Sequence, residues 1–173
     1  MKFLWVLLIL VFIFIFPIKA NAESDYVLPY PSFMPGNPLY KINLIKDKIL
    51  KYWYFGNFGQ FKYNLKLADK YLVEAKTLFE YKQYLLAVYA LEKSDLYYNK
   101  LLPNLLNAKK EKKNISQSAA IFKNASLKHV EILEKIKNEI PENFVWLPEK
   151  KRPTELNLKE IFNKSISTRQ KDL

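Results

Sequence analysis

Apolar side chains recur every three or four residues along four long stretches of the chain, the spacing that places them on one face of an α-helix. These stretches cover residues 38–55, 61–81, 84–106 and 114–140. A shorter stretch, residues 158–166, follows the capping pair Asn157 and Glu160. With only three glycines, the composition favours helices over a turn-rich β fold. The pattern predicts an all-α fold in which four main helices form an antiparallel bundle and a short helix follows.

The first predicted helix has clear signals at both ends. Asn37 suits an N-cap, and Pro38 suits the first helical position because its missing N–H needs no partner there. Gly56 and Gly59 predict the end of the helix. The apolar face consists of Leu39, Ile42, Ile45, Ile49 and Trp53, and we expect it to pack onto the other helices. Asp47 lies near the edge of this face, either as a solvated charge or as a partner for a helix end or a ring hydroxyl.

A proline-rich segment, called the strap below (residues 23–36), precedes this helix. Pro29, Pro31, Pro35 and Pro38 fall within ten residues, which forbids a helix and favours extended backbone. Pro35 and Gly36 suit the centre of a type II turn. We expect the strap to lie along the bundle, held by the aromatic side chains Tyr26, Tyr30, Phe33 and Tyr40. The alternative is a proline-rich ligand displayed for the aromatic groove of a partner.

Ten positions in this region also carry a resemblance: Tyr26, Leu28, Pro29, Tyr30, Pro31, Pro35, Pro38, Leu39, Tyr40 and Asp47. They resemble the signature Y-x-L-P-Y-P-G-x-L-P-D-x-P-L-Y, followed by a helix with R-D, of a bacterial family of extracytoplasmic domains of unknown function. The departures are Ser32, Met34, Gly36 and Lys46, where the family has Gly, Leu, Asp and Arg. The segments LADKYLVEA and ASLKHVEIL are also similar to that family, so the resemblance covers about residues 26–140. It implies an export signal, an all-helical fold and no assigned activity, and it brings no catalytic residue.

The first 22 residues have the pattern of a secretory signal peptide. Lys2 supplies the positive charge, and residues 3–16 form an apolar run that is short for a membrane span. Ala20 and Ala22 fit the A-x-A cleavage pattern, which makes Glu23 the first mature residue. We therefore expect an exported protein, secreted, periplasmic or at the cell surface. The alternative is that residues 3–16 remain as an uncleaved membrane anchor.

The mature chain then divides into the strap, a bundle domain (residues 37–140) and a C-terminal segment (residues 141–173). Within the bundle, Pro103 predicts a kink or an end in the third helix. The charged run at residues 108–114 predicts a solvated loop or a frayed helix end. In the C-terminal segment we expect a loop with aromatic anchors, the short helix and, from residue 167, a frayed tail.

The chain is strongly basic, with a formal net charge of +11 at pH 7. Such a charge favours anionic surroundings such as lipid headgroups or wall polymers. An AT-rich genome, whose codons favour lysine, explains the charge equally well. The candidate contacts lie in the two charged loops: Lys109, Lys110, Lys112, Lys113, Lys150, Lys151 and Arg152. Nucleic acid is a disfavoured partner because the chain carries an export signal.

The sequence contains little that could carry chemistry. It has no cysteine, which excludes thiolate metal sites and cysteine nucleophiles. His129, the only histidine, lies on an apolar helix face, where we expect a core histidine bonded to a carbonyl or a tyrosine hydroxyl; a catalytic base is the alternative. The sequence shows no phosphate-binding loop, zinc-protease motif or nucleophile elbow. We predict no catalytic residue, no metal site and no cofactor.

These observations favour a non-enzymatic binding or structural module that works outside the bacterial cytoplasm, with an unidentified protein partner or peripheral membrane contact. The first alternative is a cationic binder of anionic lipid or wall polymer. The second is an enzyme of unknown class.

Overall fold

The structure, a computed structural model, describes residues 25–150 and 152–171. It is mostly helical, with α1 (Pro38–Leu50), α2 (Gly56–Glu80), α3 (Tyr84–Tyr98), α4 (Leu101–Lys110), α5 (Ser116–Glu139) and α6 (Leu158–Gln170). Two short strands, β1 (Asn143–Trp146) and β2 (Thr154–Asn157), pair antiparallel between α5 and α6. The all-α prediction is therefore correct in broad outline, and the hairpin is an addition to it. Within the described ranges, no helix has the length and apolar character needed to cross a membrane.

The turn and the cap that open α1 are those predicted. Asn37 N–H donates to the Met34 carbonyl at 3.1 Å across Pro35 and Gly36, and Gly36 has a φ of 101°. The Asn37 side chain then accepts from the Leu39 N–H at 2.9 Å, with Pro38 as the first helical residue. The strap therefore enters the helix through a tight turn, since glycine adopts this positive φ without a steric penalty.

The other end of α1 differs from the prediction. The helix ends at Leu50 rather than at residue 55, and the two glycines expected to end it belong to α2. Gly56 is the first residue of α2, with a φ of 65°, and Gly59 lies in its first turn. A Cβ on Gly59 would lie 2.7 Å from the carbonyl carbon of Tyr54, so the absence of a side chain allows the α1–α2 connection to fold back closely.

The stretch predicted as one helix over residues 84–106 is two helices, α3 and α4, with a break after Tyr98. Pro103 is the third residue of α4. In the first turn of a helix the missing N–H removes no helical hydrogen bond, so this proline marks a helix start and not a kink. Helix α4 continues to Lys110, so residues 108–110 form the end of that helix and the rest of the charged run is a loop before α5.

Helix α2 is the central element of the fold, in contact with α3, α4 and α5. Its buried side chains occupy nearly every turn, and the main core forms where α2, α3, α5 and α6 meet. Within that core the rings of Phe79 and Phe162 lie 4.9 Å apart in an edge-on arrangement. Leu28 and Met34 of the strap pack against the same core.

The C-terminal segment is more ordered than the sequence indicates. The expected loop contains the β1–β2 hairpin, in which Phe144 pairs with Leu156 and its ring lies 4.7 Å from that of Tyr84 at an interplanar angle of 60°. Asn157 caps α6 by accepting from the Glu160 N–H at 3.0 Å, as predicted. The helix then continues to Gln170, so residues 167–170 are helical and the prediction of a frayed tail from residue 167 is wrong for them.

Candidate functional site

The centre of the molecule contains a chain of hydrogen-bonded polar side chains. It begins at the strap, where the Tyr26 hydroxyl donates to Asp69 Oδ2 of α2 at 2.6 Å. The other oxygen of that carboxylate, Oδ1, lies 2.7 Å from His129 Nε2 of α5. Burial, and then the charge of Asp69, raises the pKa of Tyr26 well above its usual range, so the phenol keeps its proton and remains the donor. Asp69 thus joins three separate segments of the chain.

His129 is fully buried, with 0% of its surface exposed, and both ring nitrogens are engaged. Arg169 Nε donates to His129 Nδ1 at 3.2 Å, so Nδ1 is the acceptor and Nε2 carries the proton that is donated to Asp69. Burial lowers the pKa of His129, while the hydrogen bond that the ring donates to Asp69 acts in the opposite direction. The prediction of a core histidine is confirmed, but its partners are a carboxylate and a guanidinium group.

Arg169 of α6 has no exposed surface and binds four further groups. Its Nη1 donates to Asp95 Oδ1 at 2.6 Å and to the Ser165 hydroxyl and carbonyl oxygens at 2.6 and 3.0 Å. Its Nη2 donates to Ser94 Oγ at 3.0 Å, and the guanidinium lies 4.8 Å from the ring centre of Tyr98. The arginine therefore connects α6 to α3 and α5.

The sequence pattern does not reveal this network. Its residues are far apart in the chain, and Arg169 lies in the stretch predicted as a tail. The one available signal was the placement of Asp69 and His129 on otherwise apolar helix faces, which suggests mutual pairing but does not identify the partner.

The buried network has the residue types of an acid–base site but not the access. Because both His129 nitrogens are bonded and the ring is fully enclosed, a substrate cannot reach the imidazole in this conformation. Among the residues that the structure describes, no group of three histidine or acidic side chains could hold a metal ion. The arrangement is suited to holding α2, α5, α6 and the strap together.

The orientation predicted for α1 is wrong. The side chains expected to pack inward are exposed to solvent, including Ile42 at 60% and Trp53 just beyond the helix at 75%. The opposite face carries Tyr40, whose hydroxyl donates to Glu74 Oε1 at 2.8 Å, and Asp47, which pairs with Lys70. The Asp47 carbonyl also accepts from the Tyr63 hydroxyl at 3.0 Å, so Asp47 is a buried partner and not a solvated edge charge.

This exposed surface, called the α1 outer face below, is mostly apolar, with lysines on the same helix. Its apolar members are Leu39, Ile42, Ile45, Ile49 and Trp53. A shallow groove of about 490 Å³ lies along it. Lys46 lines the groove, and Lys41 and Lys48 are also exposed on the same helix.

Two of the four predicted strap anchors, Tyr26 and Tyr40, hold the strap region to the bundle, and the other two, Tyr30 and Phe33, are exposed. Tyr26 and Tyr40 bond to Asp69 and Glu74 on α2. Tyr30 is 95% exposed and Phe33 is also exposed, so the aromatic pattern alone overestimated the number of anchors.

The predicted basic contacts lie in two places on the surface. Lys109, Lys110 and Lys112 are exposed around the end of α4, and Lys150 and Arg152 are exposed in the hairpin loop. Lys113 is different, because its Nζ pairs with Glu111 at 2.7 Å and lies 6.0 Å from the ring centre of Phe58. Lys151 and the predicted cleavage-site residues Ala20, Ala22 and Glu23 lie outside the described residues.

Comparison with known proteins gives no match to a family model, to a curated protein or to a solved structure. The resemblance to an extracytoplasmic family, and the absence of an assigned activity that it implies, therefore stay predictions.

Proposed function

We propose that this protein is a non-enzymatic module that binds the surface of an anionic lipid membrane outside the bacterial cytoplasm through its α1 outer face. The observation that carries the proposal is the orientation of α1: its apolar stripe faces solvent, while Tyr40 and Asp47 fix its opposite side to α2. An apolar stripe on a fixed surface helix needs an apolar phase or an apolar partner to cover it.

The composition of the face favours a lipid bilayer as that partner. Isoleucines at the centre, an exposed tryptophan and exposed lysines on the same helix are the composition of helices that lie in the membrane interface. Tyr52 and Phe55, which follow α1, are also exposed and are aromatic residues of the type that favours the headgroup level. Lysines on this helix attract anionic headgroups, in keeping with a net charge of +11.

The non-enzymatic part of the proposal is supported by the enclosure of His129. The extracytoplasmic location is supported by the signal-peptide pattern of the first 22 residues. As part of the same proposal, the main helices pack as an antiparallel bundle that acts as a rigid support for α1, with the strap fastened along it.

The test is binding of the full chain to phosphatidylglycerol-containing vesicles, with phosphatidylcholine vesicles for comparison. Substitution of Trp5 and Trp146 by Phe leaves Trp53 as the single tryptophan. We expect its emission to shift to shorter wavelength on anionic vesicles, with a shift that decreases as salt is added. Unchanged Trp53 emission on anionic vesicles would contradict the proposal, even if residues 3–16 hold the chain on the membrane.

Two double variants distinguish binding through this face from nonspecific hydrophobic binding. Ile42→Gln with Ile49→Gln should abolish the Trp53 shift, because it removes the centre of the apolar stripe. Leu106→Gln with Leu147→Gln replaces two exposed apolar side chains elsewhere and should leave the shift unchanged. Equal shifts in the two double variants would rule out the α1 outer face as the binding surface.

The alternative, a cationic surface acting through the α4 end and the hairpin loop, predicts a different result. In that case Lys109→Glu with Lys110→Glu would remove vesicle binding while the α1 variants retain it. Under the proposal the lysine pair contributes only a general attraction, worth about 1 kcal/mol per charge near the surface.

A further inference from the structure

A second surface feature is a cleft of about 580 Å³. It lies between the Pro35 turn of the strap and the helices α1, α2 and α3. Its walls are mostly apolar and aromatic: Pro35, Tyr40, Leu86, Tyr89, Ala90 and Leu96. Three charged residues also line it: Glu74, Glu92 and Lys93.

Glu74 is the unusual member of this lining, because it is 3% exposed and only half satisfied. Its Oε1 accepts from the Tyr40 hydroxyl at 2.8 Å. Its Oε2 is buried and has no hydrogen-bond partner among the residues that the structure describes. Buried carboxylate oxygens are rarely left unpaired, since losing hydration without a replacement donor is unfavourable. An unpaired acceptor in the lining of a cleft points to a donor supplied by a ligand.

The surrounding charges indicate what kind of donor fits. Burial raises the pKa of Glu74, whereas the Tyr40 hydrogen bond and the charges of Lys93 and Lys70 act to lower it. Lys93 is not bonded to Oε2, and its ammonium lies over a ring, 5.2 Å from the centre of Tyr71. Glu92 adds a second carboxylate to the same lining. A cationic donor therefore meets two carboxylates and aromatic faces in this cleft.

We propose that this cleft binds a primary alkylammonium group, with the Glu74 side chain turning to present Oε2 to the nitrogen and the methylene stem packed against the apolar walls. Leu86, Tyr89 and Leu96 offer the contact for the stem. The apolar walls favour a lysine side chain of a peptide, because its four methylene groups cover more of the wall than the two of a lipid aminoethyl headgroup, which is the other source of this chemistry. The site is separate from the α1 outer face, and either proposal can fail without the other.

The test compares three probes of equal chain length on the full chain by titration calorimetry: n-hexylammonium, 1-hexanol and hexanoate. The ammonium should bind about tenfold more tightly than the alcohol, since it forms a charge-assisted hydrogen bond with a buried acceptor. Hexanoate should bind most weakly, because Glu74 and Glu92 repel it. Equal affinity for the three probes would reduce the site to an apolar cleft, and tighter binding of hexanoate would assign the head-group contact to Lys93; each result overturns the proposal.

Variants then locate the contact. Glu74→Gln should remove the preference for the ammonium over the alcohol, while Glu80→Gln, a carboxylate of the same helix paired with Lys76 on the surface, should retain it. Tyr89→Ala changes an exposed wall of the cleft and should weaken the binding of hexylammonium and of hexanol by the same factor. This second variant keeps the test usable if the Glu74→Gln protein does not fold. Retention of the ammonium preference in folded Glu74→Gln would contradict the assignment.

Two further probes distinguish the sources. Nα-acetyl-lysine amide represents the peptide, and phosphoethanolamine represents the lipid headgroup. Tighter binding of the first assigns the site to lysine-bearing peptides, and tighter binding of the second assigns it to the lipid. If neither probe binds while Glu74→Gln still loses the preference for hexylammonium, both the lysine and the lipid headgroup are ruled out as the natural ligand.

Discussion

The Tyr26 hydroxyl and the Asp69 carboxylate are 2.6 Å apart, and their hydrogen bond fastens the strap to the central helix. The same carboxylate binds His129 through its other oxygen, at 2.7 Å. A strap residue therefore completes the hydrogen bonding of a buried carboxylate, although strap side chains such as Tyr30 remain exposed. Removal of the phenol leaves Asp69 with fewer donors in a poorly solvated position.

Replacement of Tyr26 by Phe tests this role of the strap. We expect the free energy of unfolding to fall by about 1–3 kcal/mol, because one oxygen of a buried carboxylate loses its donor while the ring remains. Tyr30→Phe is the matched control, since that ring is exposed and should change stability by less than about 0.5 kcal/mol. Urea unfolding followed by circular dichroism measures both, and equal values would show that the strap hydroxyl contributes nothing.

Arg169 gives a larger expected effect. Its replacement by Met removes the donors to Asp95, Ser94 and His129 while keeping much of the side-chain volume. We expect a loss of about 3 kcal/mol, the usual result of removing one partner from a buried charge pair. Lys171→Met, at an exposed position just after α6, is the control. If the Arg169→Met protein is as stable as the control, the last turn of α6 contributes nothing to stability, and the prediction fails.

The buried imidazole makes stability depend on pH in a defined direction. Burial lowers the pKa of His129 below its ordinary value of 6.5, so the folded state keeps the ring neutral while the unfolded chain takes up a proton. Stability from this group is therefore present above about pH 6.5 and is lost as the pH falls toward the folded-state pKa. The slope should approach about 1.4 kcal/mol per pH unit within that window.

Three charged groups that face the ring also act on its pKa. Asp69 and Asp95 favour the protonated imidazole and Arg169 disfavours it, with burial the largest effect. Glu74, whose pKa is raised, has the opposite linkage, since the folded state gains its proton first and is stabilised on acidification. Urea midpoints at pH 7.5 and 5.5 measure the balance, and His129→Gln should remove the histidine slope. An identical slope in that variant would assign the pH dependence to other groups.

The fold and the candidate sites were predictable to different degrees. Local signals were sufficient for the Pro35–Gly36 turn and for the Asn37 and Asn157 caps, because each depends on side-chain or backbone chemistry within three residues. The break between α3 and α4 was misplaced, since Pro103 is equally compatible with the end of one helix and the first turn of the next.

Long-range pairing was beyond the reach of the sequence pattern. The β1–β2 hairpin consists of two four-residue strands, and four residues are too few to show the alternation of apolar and polar side chains that marks a strand. Arg169 looks like an exposed terminal charge until its partners on α3 and α5 are brought to it. Likewise, Asp47 and Glu74 are acidic residues within apolar stretches. Their burial depends on a partner from another helix, Lys70 for Asp47 and Tyr40 for Glu74.

The orientation of α1 supplies the last prediction, because a stripe of isoleucines is normally taken as the buried side of a helix. The structure places Ile49 outward and Leu44 inward, where Leu44 packs against the Tyr63, Leu67 and Tyr71 cluster of α2. Ile49→Ala should therefore change the free energy of unfolding by less than about 0.5 kcal/mol. Leu44→Ala should lower it by at least about 1 kcal/mol, through lost burial and a partial cavity. The reverse order would put the isoleucine stripe against the bundle and would remove the surface on which membrane binding is proposed.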